Sequence, residues 1–216
     1  MVKAIARVPR IYVLAGVNGA GKSSVGGAAV RACGAQYYNP DEAARVAKQT
    51  NPALTQSGAN ALAWHAGRAM LERSIEERTD FAFETTLGAN TLTELLIQAA
   101  RSGFEVHVWY AGLESPEQHI ERVHARVKRG GHDIPEADIR RRFEHSRLNL
   151  IRLLPHLASL RVLDNSTEGD PEAGTAPRPI LLLHFEAGVV MSKASALAKT
   201  PDWAKPIVAA ALKQKR

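Results

Sequence analysis

The residues Gly16-Val17-Asn18-Gly19-Ala20-Gly21-Lys22-Ser23 indicate the fold most directly, because they match the phosphate-binding pattern G-x-x-x-x-G-K-[ST]. The apolar run 11–15 before it predicts a buried strand, and residues 24–33, rich in alanine and valine, predict a helix. A glycine-rich turn between a strand and a helix points backbone N–H groups and the positive end of the helix dipole at an anion. The sequence therefore predicts a loop that binds the phosphates of a nucleoside triphosphate.

Two side chains of this loop have separate expected roles. Lys22 is expected to reach the outer phosphates of the nucleotide, and the Ser23 hydroxyl is expected to complete the coordination of Mg²⁺. The alternative is a glycine-rich turn that contains Lys-Ser by coincidence, although residues at all the specified positions seldom coincide at a strand–helix junction. ATP and Mg²⁺ are the expected ligands. The predicted nucleotide-binding residues are Gly16, Val17, Asn18, Gly19, Ala20, Gly21, Lys22, Ser23 and Ser24.

Length and composition indicate an ordinary globular chain. The 216 residues, 45% hydrophobic and 23% charged, are typical of one domain, expected to span residues 1–216. No apolar run reaches the roughly 18 residues of a membrane span. The beginning of the sequence is too polar for a secretory signal. The single cysteine, Cys33, excludes an internal disulfide, so we expect a reducing, cytoplasmic location.

Apolar runs alternate with helical patterns along the chain, which is typical of an α/β fold with a parallel sheet flanked by helices. About five parallel strands are predicted, at residues 10–16, 35–38, 81–83, 105–111 and 160–163. Residues 165–179, rich in proline, glycine and serine, predict a loop. The predicted core therefore spans about residues 10–166.

A C-terminal extension at about residues 175–216 is expected to follow this core. Within it, residues 180–184 and 188–191 predict an antiparallel pair, which forms a small β appendage outside the parallel sheet. The residues from Pro201 onward predict a short terminal helix.

Acidic and polar residues follow three of the predicted strands. Asp41 and Glu42 follow the second strand, residues 84–86 the third, and residues 164–166 the fifth. Because ligands bind beyond the carboxyl ends of parallel strands, we expect these residues to converge beside the phosphate loop. Asp41 is a candidate base for an acceptor hydroxyl, or an acid that only favours the start of a helix. The residues Glu84, Thr85 and Thr86 are candidates for contact with the acceptor, and Glu84 alternatively for a Mg²⁺-bound water or a structural role.

Six arginines flank the Gly130-Gly131 break between two predicted helices, which are expected to form a lid over about residues 122–145. Arginines on such a lid would neutralise charge on a transferring phosphoryl group, unless they only pair with nearby acids on a solvated helical face. His132 at the tip is expected either to touch the substrate or to be exposed. The net charge of +6 suits a nucleic acid or a polyanionic substrate equally. The six are Arg122, Arg126, Arg129, Arg140, Arg141 and Arg142.

Six stretches occur together in this order: GVNGAGKSS at 16–24, NPDE at 39–42, FETTL at 83–87, RVKRGGH at 126–132, IRRRFE at 139–144 and DNS at 164–166. This combination resembles the zeta toxin family, in its short single-domain bacterial branch of predicted ATPases. The resemblance covers about residues 10–166 and implies a P-loop kinase-like fold. It also implies phosphorylation of a sugar hydroxyl of UDP-N-acetylglucosamine by ATP, and a small antitoxin protein that blocks the ATP site.

The resemblance assigns four roles by motif: binding of phosphates and Mg²⁺, base catalysis, acceptor contact and phosphate clamping. In that order the residues are Lys22 and Ser23; Asp41; Glu84 and Thr86; and Arg129 and Arg142, with Arg126, Arg140 and Arg141 as chemically equivalent candidates for the clamp. The expected function is an ATP-dependent small-molecule kinase. Two alternatives remain open: a kinase of another hydroxyl acceptor, such as a nucleoside or an antibiotic, or a regulatory ATPase stimulated by nucleic acid. Neither a membrane nor a nucleic acid is an expected partner.

Overall fold

The computed structural model of the protein describes residues 7–167 and 178–214. All five predicted parallel strands are present, and the expected α/β class is confirmed. In β1 and β3 almost every residue is buried, as in strands with a layer of helices on each face of the sheet. Residues 168–177 of the predicted loop lie outside the described residues. The strands are β1 Arg10–Ala15, β2 Gln36–Tyr38, β3 Phe81–Thr85, β4 Glu105–Gly112 and β5 Ser159–Asp164.

The C-terminal strands β6 (Ile180–Glu186) and β7 (Val189–Val190) form the predicted antiparallel pair, but the pair does not lie outside the sheet. β6 pairs antiparallel with β5, and the described strands form one sheet in the order β2-β3-β1-β4-β5-β6-β7. The expectation of a separate appendage is therefore wrong. The physical reason is that β5 would otherwise be an edge strand with unpaired backbone groups, and β6 satisfies them.

Helices fill the connections between the strands, and several begin at the residues that their capping chemistry predicts. The Asn39 side chain accepts from backbone N–H groups at the start of the second helix, and Ser115 does the same for the fifth. No helix in residues 7–167 and 178–214 has the length and apolarity needed to cross a membrane. The helices are α1 Lys22–Arg31, α2 Pro40–Thr50, α3 Gln56–Glu77, α4 Asn90–Arg101, α5 Pro116–Val127, α6 Glu136–Leu153, α7 Ala194–Leu197 and α8 Lys205–Leu212, with a 3₁₀ turn at Leu154–His156.

Two apolar clusters fix the position of the phosphate loop. The main core joins the sheet to α4, α6 and α8, and includes Phe81, Val108 and Trp203. A smaller cluster joins α5 and α6 to the loop itself, because Val17 packs with Ile139 and three further apolar residues. Since each of these side chains is almost fully buried, burial holds the two helices against the loop. The loop also lies where the strand order reverses around β1, which is the position at which open α/β sheets bind ligands.

Candidate active site

The phosphate loop connects β1 to α1 and depends on its glycines. Gly16 has a φ of 140°, and a Cβ there would lie 2.1 Å from the carbonyl oxygen of Ala111 on β4. Gly19 has a φ of 84°, and its Cβ would lie 2.6 Å from the backbone oxygen of His119. A side chain at either position would therefore meet both backbone strain and a clash with neighbouring backbone. These contacts explain why Gly16, which the pattern specifies, and Gly19, which the pattern leaves open, are both glycine in this loop.

Lys22, the first residue of α1, folds back over the loop. Its Nζ donates a hydrogen bond to the backbone oxygen of Gly16, at 2.9 Å. Burial lowers the pKa of Lys22, and the nearby carboxylates of Asp41 and Glu84 oppose that shift by favouring the ammonium. The structure thus brings both predicted acids into the electrostatic environment of the loop lysine.

Strand five also reaches the loop, as its polar end predicts. The Asn165 side chain donates from Nδ2 to the backbone oxygen of Ala20, at 3.0 Å. Asn165 is buried, and its Oδ1 has no hydrogen-bond partner among the residues that the structure describes. The amide therefore ties the carboxyl end of β5 to the middle of the phosphate loop.

Glu84 forms a buried cluster with two hydroxyl groups. Its side chain is only 6% exposed, and its Oε1 accepts a hydrogen bond from Ser23 Oγ at 2.8 Å. The Tyr37 hydroxyl donates to the same oxygen, and burial together with this carboxylate raises the pKa of Tyr37. Tyr37 was not predicted as a site residue, because the sequence does not reveal that β2 pairs with β3 and brings the two side chains to one face.

The hydroxyl of Ser23 and the carboxylate of Glu84 are the oxygen ligands that Mg²⁺ prefers. Within the described ranges no group of three or more His, Cys, Asp and Glu side chains could hold a metal by itself. Magnesium bound with a nucleotide commonly takes only one or two protein ligands, and phosphates and water supply the others. The two residues therefore fit a nucleotide-associated Mg²⁺ and do not form an independent metal site.

Asp41 lies in the first turn of α2, and its backbone N–H donates to the Asn39 side chain at 2.9 Å. Its carboxylate is about half exposed and faces two residues from the predicted lid. Arg126 donates from Nη1 to Asp41 Oδ2 at 3.4 Å, and His132 Nε2 lies 3.9 Å from Asp41 Oδ1. Burial lowers the pKa of His132, while Asp41 favours its charged form. The structure thus brings Asp41, Arg126 and His132 together.

The predicted lid arginines have different surroundings. Arg142 on α6 donates from Nη1 to the Asn18 side chain at 2.8 Å, so it lies against the phosphate loop. Gly88 makes room for it, because a Cβ there would lie 2.8 Å from Arg142 Cγ. Arg129 instead is exposed in the turn after α5, and its side chain makes no hydrogen bond or ion pair with the described part of the chain. The structure brings Arg126 and Arg142 to the loop and to Asp41, but not Arg129.

His119 on α5 is a further residue of the site that was not predicted. It is buried, and its Nδ1 lies 2.8 Å from the backbone oxygen of Asn18, so this nitrogen donates the hydrogen bond. Burial lowers the pKa of His119 to about 4, which keeps the imidazole neutral. Asn18 is therefore contacted by α5 at its backbone and by α6 at its side chain. The helical pattern of α5 does not distinguish such a histidine from an ordinary core residue.

A cavity of about 160 Å³ opens beside the loop and connects these parts. Thr85 and Thr86 line it at the end of β3, and each hydroxyl accepts a backbone N–H in the following turn, from Leu87 and Gly88. Another wall, which the sequence interpretation missed, comes from α3. The lining residues used below are Asn18, Asp41, Glu84, Thr86, His132 and Arg142 on the loop side, and Asn60, Ala63, Trp64, Gly67 and Arg68 on α3.

The sheet order and the phosphate loop define the class of this protein, which is a P-loop protein with a kinase-like α/β fold. A family profile described as an AAA domain matches residues 11–145. The chain belongs to this family. It is also 30% identical, over 134 residues, to an uncharacterized protein of Haemophilus influenzae, and the match covers 59% of this chain and 88% of that relative.

Solved structures extend the likeness to the whole fold. The AvrRxo1-ORF1:-ORF2 complex with ATP matches with a TM-score of 0.68 and 14% identity, over 91% of this chain and 64% of that chain. The PezAT chromosomal toxin–antitoxin system of Streptococcus pneumoniae matches with a TM-score of 0.59 and 12% identity, over 99% of this chain and 88% of that chain. At such identities the likeness concerns the fold, and it confirms the expected zeta-toxin-like P-loop fold.

Proposed function

We propose that this protein is an ATP-dependent kinase that transfers the γ-phosphoryl group to a hydroxyl of a small molecule. One observation carries the proposal: the phosphate loop and the acids at the strand ends share a single cavity. Asn18 of the loop lines this cavity together with Asp41 and Arg142. A phosphoryl donor on the loop and an acceptor in the cavity would therefore meet between a carboxylate and a guanidinium, the groups that phosphoryl transfer uses.

The proposed roles follow from where each group lies. Lys22 exchanges its hydrogen bond to Gly16 for the outer phosphates, and Asp41 takes the proton of the acceptor hydroxyl. Arg126 and Arg142 neutralise charge on the transferring group, since both already lie at the loop or at Asp41. Mg²⁺ bound with ATP would neutralise phosphate charge, with Ser23 and Glu84 beside it.

For the acceptor we propose first a class of molecule and then one candidate within that class. The cavity supports a small molecule with a hydroxyl, and the resemblance to zeta toxins puts a UDP-N-acetyl sugar first among candidates. A nucleoside or an antibiotic is the competing acceptor. A small antitoxin protein is a proposed partner, because the PezAT match is described as a toxin–antitoxin system and the AvrRxo1-ORF1 match as a complex with ORF2.

The six lid arginines give no specific support to a nucleic-acid-stimulated ATPase. Arg140 pairs with Glu117, and Arg141 pairs with Asp138 at 2.7 Å. With Arg142 held by Asn18, these three arginines each have a partner within the protein. Polynucleotide-stimulated ATP hydrolysis with a steep salt dependence would reverse this judgement.

The test is a transfer assay with labelled ATP and a panel of alcohols, applied to the wild type, two variants of the site and one control variant. Lys22→Ala should abolish transfer, because it removes the cation that holds the outer phosphates. Asp41→Asn should lower kcat by about 10²–10⁴-fold, the usual contribution of a general base, while ATP binding is retained. Glu42→Gln is the matched control, since Glu42 is an exposed acid in the same helical turn and should leave activity unchanged.

Two results would contradict the proposal at different points. Full activity of Asp41→Asn would exclude Asp41 as the base and leave the kinase assignment standing. Absence of any Lys22-dependent transfer or hydrolysis of ATP would reject the kinase assignment itself.

A further inference from the structure

Helix α3 presents an unusual face to the cavity. Asn60, Trp64 and Arg68 recur at intervals of four residues, and Ala63 and Gly67 lie between them on the same side. An ordinary core-facing helix would place large aliphatic residues at these positions. Here two of these positions hold the small residues Ala63 and Gly67. The amide of Asn60, the indole of Trp64 and the guanidinium of Arg68 border the cavity.

Gly67 sets how closely α3 approaches strand β2 at the edge of the cavity. A Cβ at Gly67 would lie 2.6 Å from the ring of Tyr38, so only glycine lets α3 approach this ring so closely. The Tyr38 hydroxyl also donates to the backbone oxygen of Ala63, at 2.6 Å. The tyrosine thus fixes α3 at a set distance from β2, and the side chains of Trp64 and Arg68 border the cavity beside it.

The hydrogen-bonding groups of this wall are mainly donors. The Asn60 oxygen already accepts from Gln56 Nε2 at 3.0 Å, which leaves the Asn60 amide N–H groups for a ligand. Arg68 donates its Nε–H to Glu72 at 2.9 Å, and no other hydrogen bond of its guanidinium is found in residues 7–167 and 178–214. Its carbon Cζ lies 6.0 Å from the centre of the Trp64 ring. The donors of both terminal nitrogens therefore remain for an acceptor of hydrogen bonds.

We propose that the phosphoryl acceptor is an alcohol that also carries an anionic oxygen group, a carboxylate or a phosphate, and that Arg68 binds this group. The inference rests on the proposed function and specifies its substrate class. A planar, always-charged guanidinium with free donors binds such groups in bidentate geometry. Asp41 lines the same cavity from α2 and would face the hydroxyl of the bound molecule. Neutral nucleosides and cationic antibiotics lack the group that Arg68 recognises.

Two sources of the anionic group remain, and the panel of acceptors described below separates them. The diphosphate of a nucleotide sugar and the carboxylate or phosphate of a small hydroxy acid have the same chemistry toward Arg68. The volume of about 160 Å³ is below the 300–1,000 Å³ of pockets that enclose drug-sized ligands. A small hydroxy acid would fit within it, whereas a nucleotide sugar would extend beyond it.

The experiment uses pairs of acceptors, one member with the anionic group and one without it. UDP-N-acetylglucosamine is compared with N-acetylglucosamine, shikimate with its methyl ester, and glycerol 3-phosphate with glycerol. Label transfer from ATP is measured for each at several concentrations. We expect transfer to at least one anionic member and a KM about ten- to a hundredfold higher for its neutral counterpart, which is the usual value of a charge-assisted contact.

Two variants of Arg68 and two control variants then assign the effect to Arg68. Arg68→Gln should raise the KM for the anionic acceptor by about ten- to a hundredfold with kcat nearly unchanged, and Arg68→Lys should restore part of the loss. Glu72→Gln breaks the same ion pair but keeps the guanidinium, so it should leave KM unchanged. Arg73→Gln, at an exposed position on the same helix, is the control for loss of a positive charge.

Each result decides either the anionic-acceptor inference or the kinase assignment. Transfer only to neutral members, transfer to none while ATP is still hydrolysed in a Lys22-dependent manner, or equal KM changes in Arg68→Gln and Glu72→Gln would overturn the anionic-acceptor inference. Loss of every Lys22-dependent reaction of ATP would instead reject the proposed kinase. Transfer to UDP-N-acetylglucosamine alone would assign the anionic group to a nucleotide sugar.

Discussion

His119 is a neutral donor in the buried surroundings of the phosphate loop. It holds the backbone oxygen of Asn18, and its ring packs edge-on against Phe143 with the ring centres 5.8 Å apart. Protonation would place a charge in this buried position, close to the Lys22 ammonium, which already lowers the pKa of His119 in addition to burial. The same residue therefore links the geometry of the loop to the pH dependence of stability.

The stability of the protein should fall at acid pH in a way that depends on His119. Its pKa is about 4 in the folded protein, below the ordinary value of 6.5, so between these values the unfolded chain binds the extra proton. The stabilisation is complete above pH 6.5 and is lost as the pH falls toward 4. Between pH 7 and 4, the free energy of unfolding of the wild type should fall by about 3 kcal/mol more than that of His119→Gln, measured by denaturant titration.

If the free energy of unfolding of the wild type and of His119→Gln changes equally with pH, the His119 imidazole is not responsible for the loss of stability in acid. His119→Gln keeps an amide donor at this position, so the comparison isolates the proton and not the loss of the hydrogen bond to Asn18.

At the scale of elements, α5 and α6 both act on the phosphate loop through one residue. α5 supplies the donor to the Asn18 backbone, and α6 supplies Arg142 to the Asn18 side chain. Apolar packing between Val17 and the same two helices supports these polar contacts. The two helices and the loop are therefore packed together, and a displacement of either helix would also move the phosphate loop.

A double-mutant cycle tests this coupling, given the proposed kinase activity. Asn18→Ala should lower kcat about tenfold, because it frees Arg142 from its position, and Arg142→Ala should lower kcat on the order of a thousandfold, as expected for a phosphate-clamping arginine. The double variant should be no slower than Arg142→Ala, since Asn18 acts through Arg142. Asp138→Asn, which weakens the 3.5 Å contact of Asp138 with Arg142, serves as the comparison for that arginine's other partner.

Effects of the two substitutions that multiply in the double variant would show that Asn18 contributes independently of Arg142. The melting temperature of each variant, followed in parallel, separates loss of positioning from loss of folded protein.

On the scale of the whole molecule, the C-terminal segment supports the strand that contacts the loop. Trp203 is only 3% exposed and packs on Gly112, where a Cβ would lie 2.4 Å from its ring. Its backbone oxygen accepts from Arg147 on α6, at 3.2 Å. Because the neighbouring residue Ala111 lies against Gly16 of the loop, the segment after β7 stabilises the back of the nucleotide site.

Trp203→Ala should lower the free energy of unfolding by about 3–5 kcal/mol, the range for removing a buried large aromatic side chain. Trp203→Phe should cost less, because it keeps a ring on Gly112 and removes an indole N–H that is buried without a hydrogen bond among the described residues. Leu212→Ala in α8 is the control, since Leu212 is 58% exposed and should change stability by less than about 0.5 kcal/mol. A loss below about 1 kcal/mol for Trp203→Ala would show that the segment is not anchored there.

Much of the architecture could be predicted because it depends on local patterns. The parallel strands have apolar runs of their own, and Asp41, Glu84 and Asn165 lie near the loop because parallel strands end at one edge. The C-terminal pair was misplaced because its partner, β5, is chosen by an unpaired edge and not by any residue of the pair itself. The α3 wall escaped prediction for a similar reason, since only packing shows which helical face borders a cavity.

Local sequence patterns suffice to predict the phosphate loop, the order of strands and helices along the chain, and which strand ends carry acids. These are set by spacing and capping chemistry, which act between residues close in the chain. The packing of distant elements places Arg126 at Asp41 and Arg142, but not Arg129, at the loop, brings His119 against Asn18 and puts Arg68 in the cavity wall. The reason is that side chains from distant elements meet through sheet order and core packing, which no local pattern encodes.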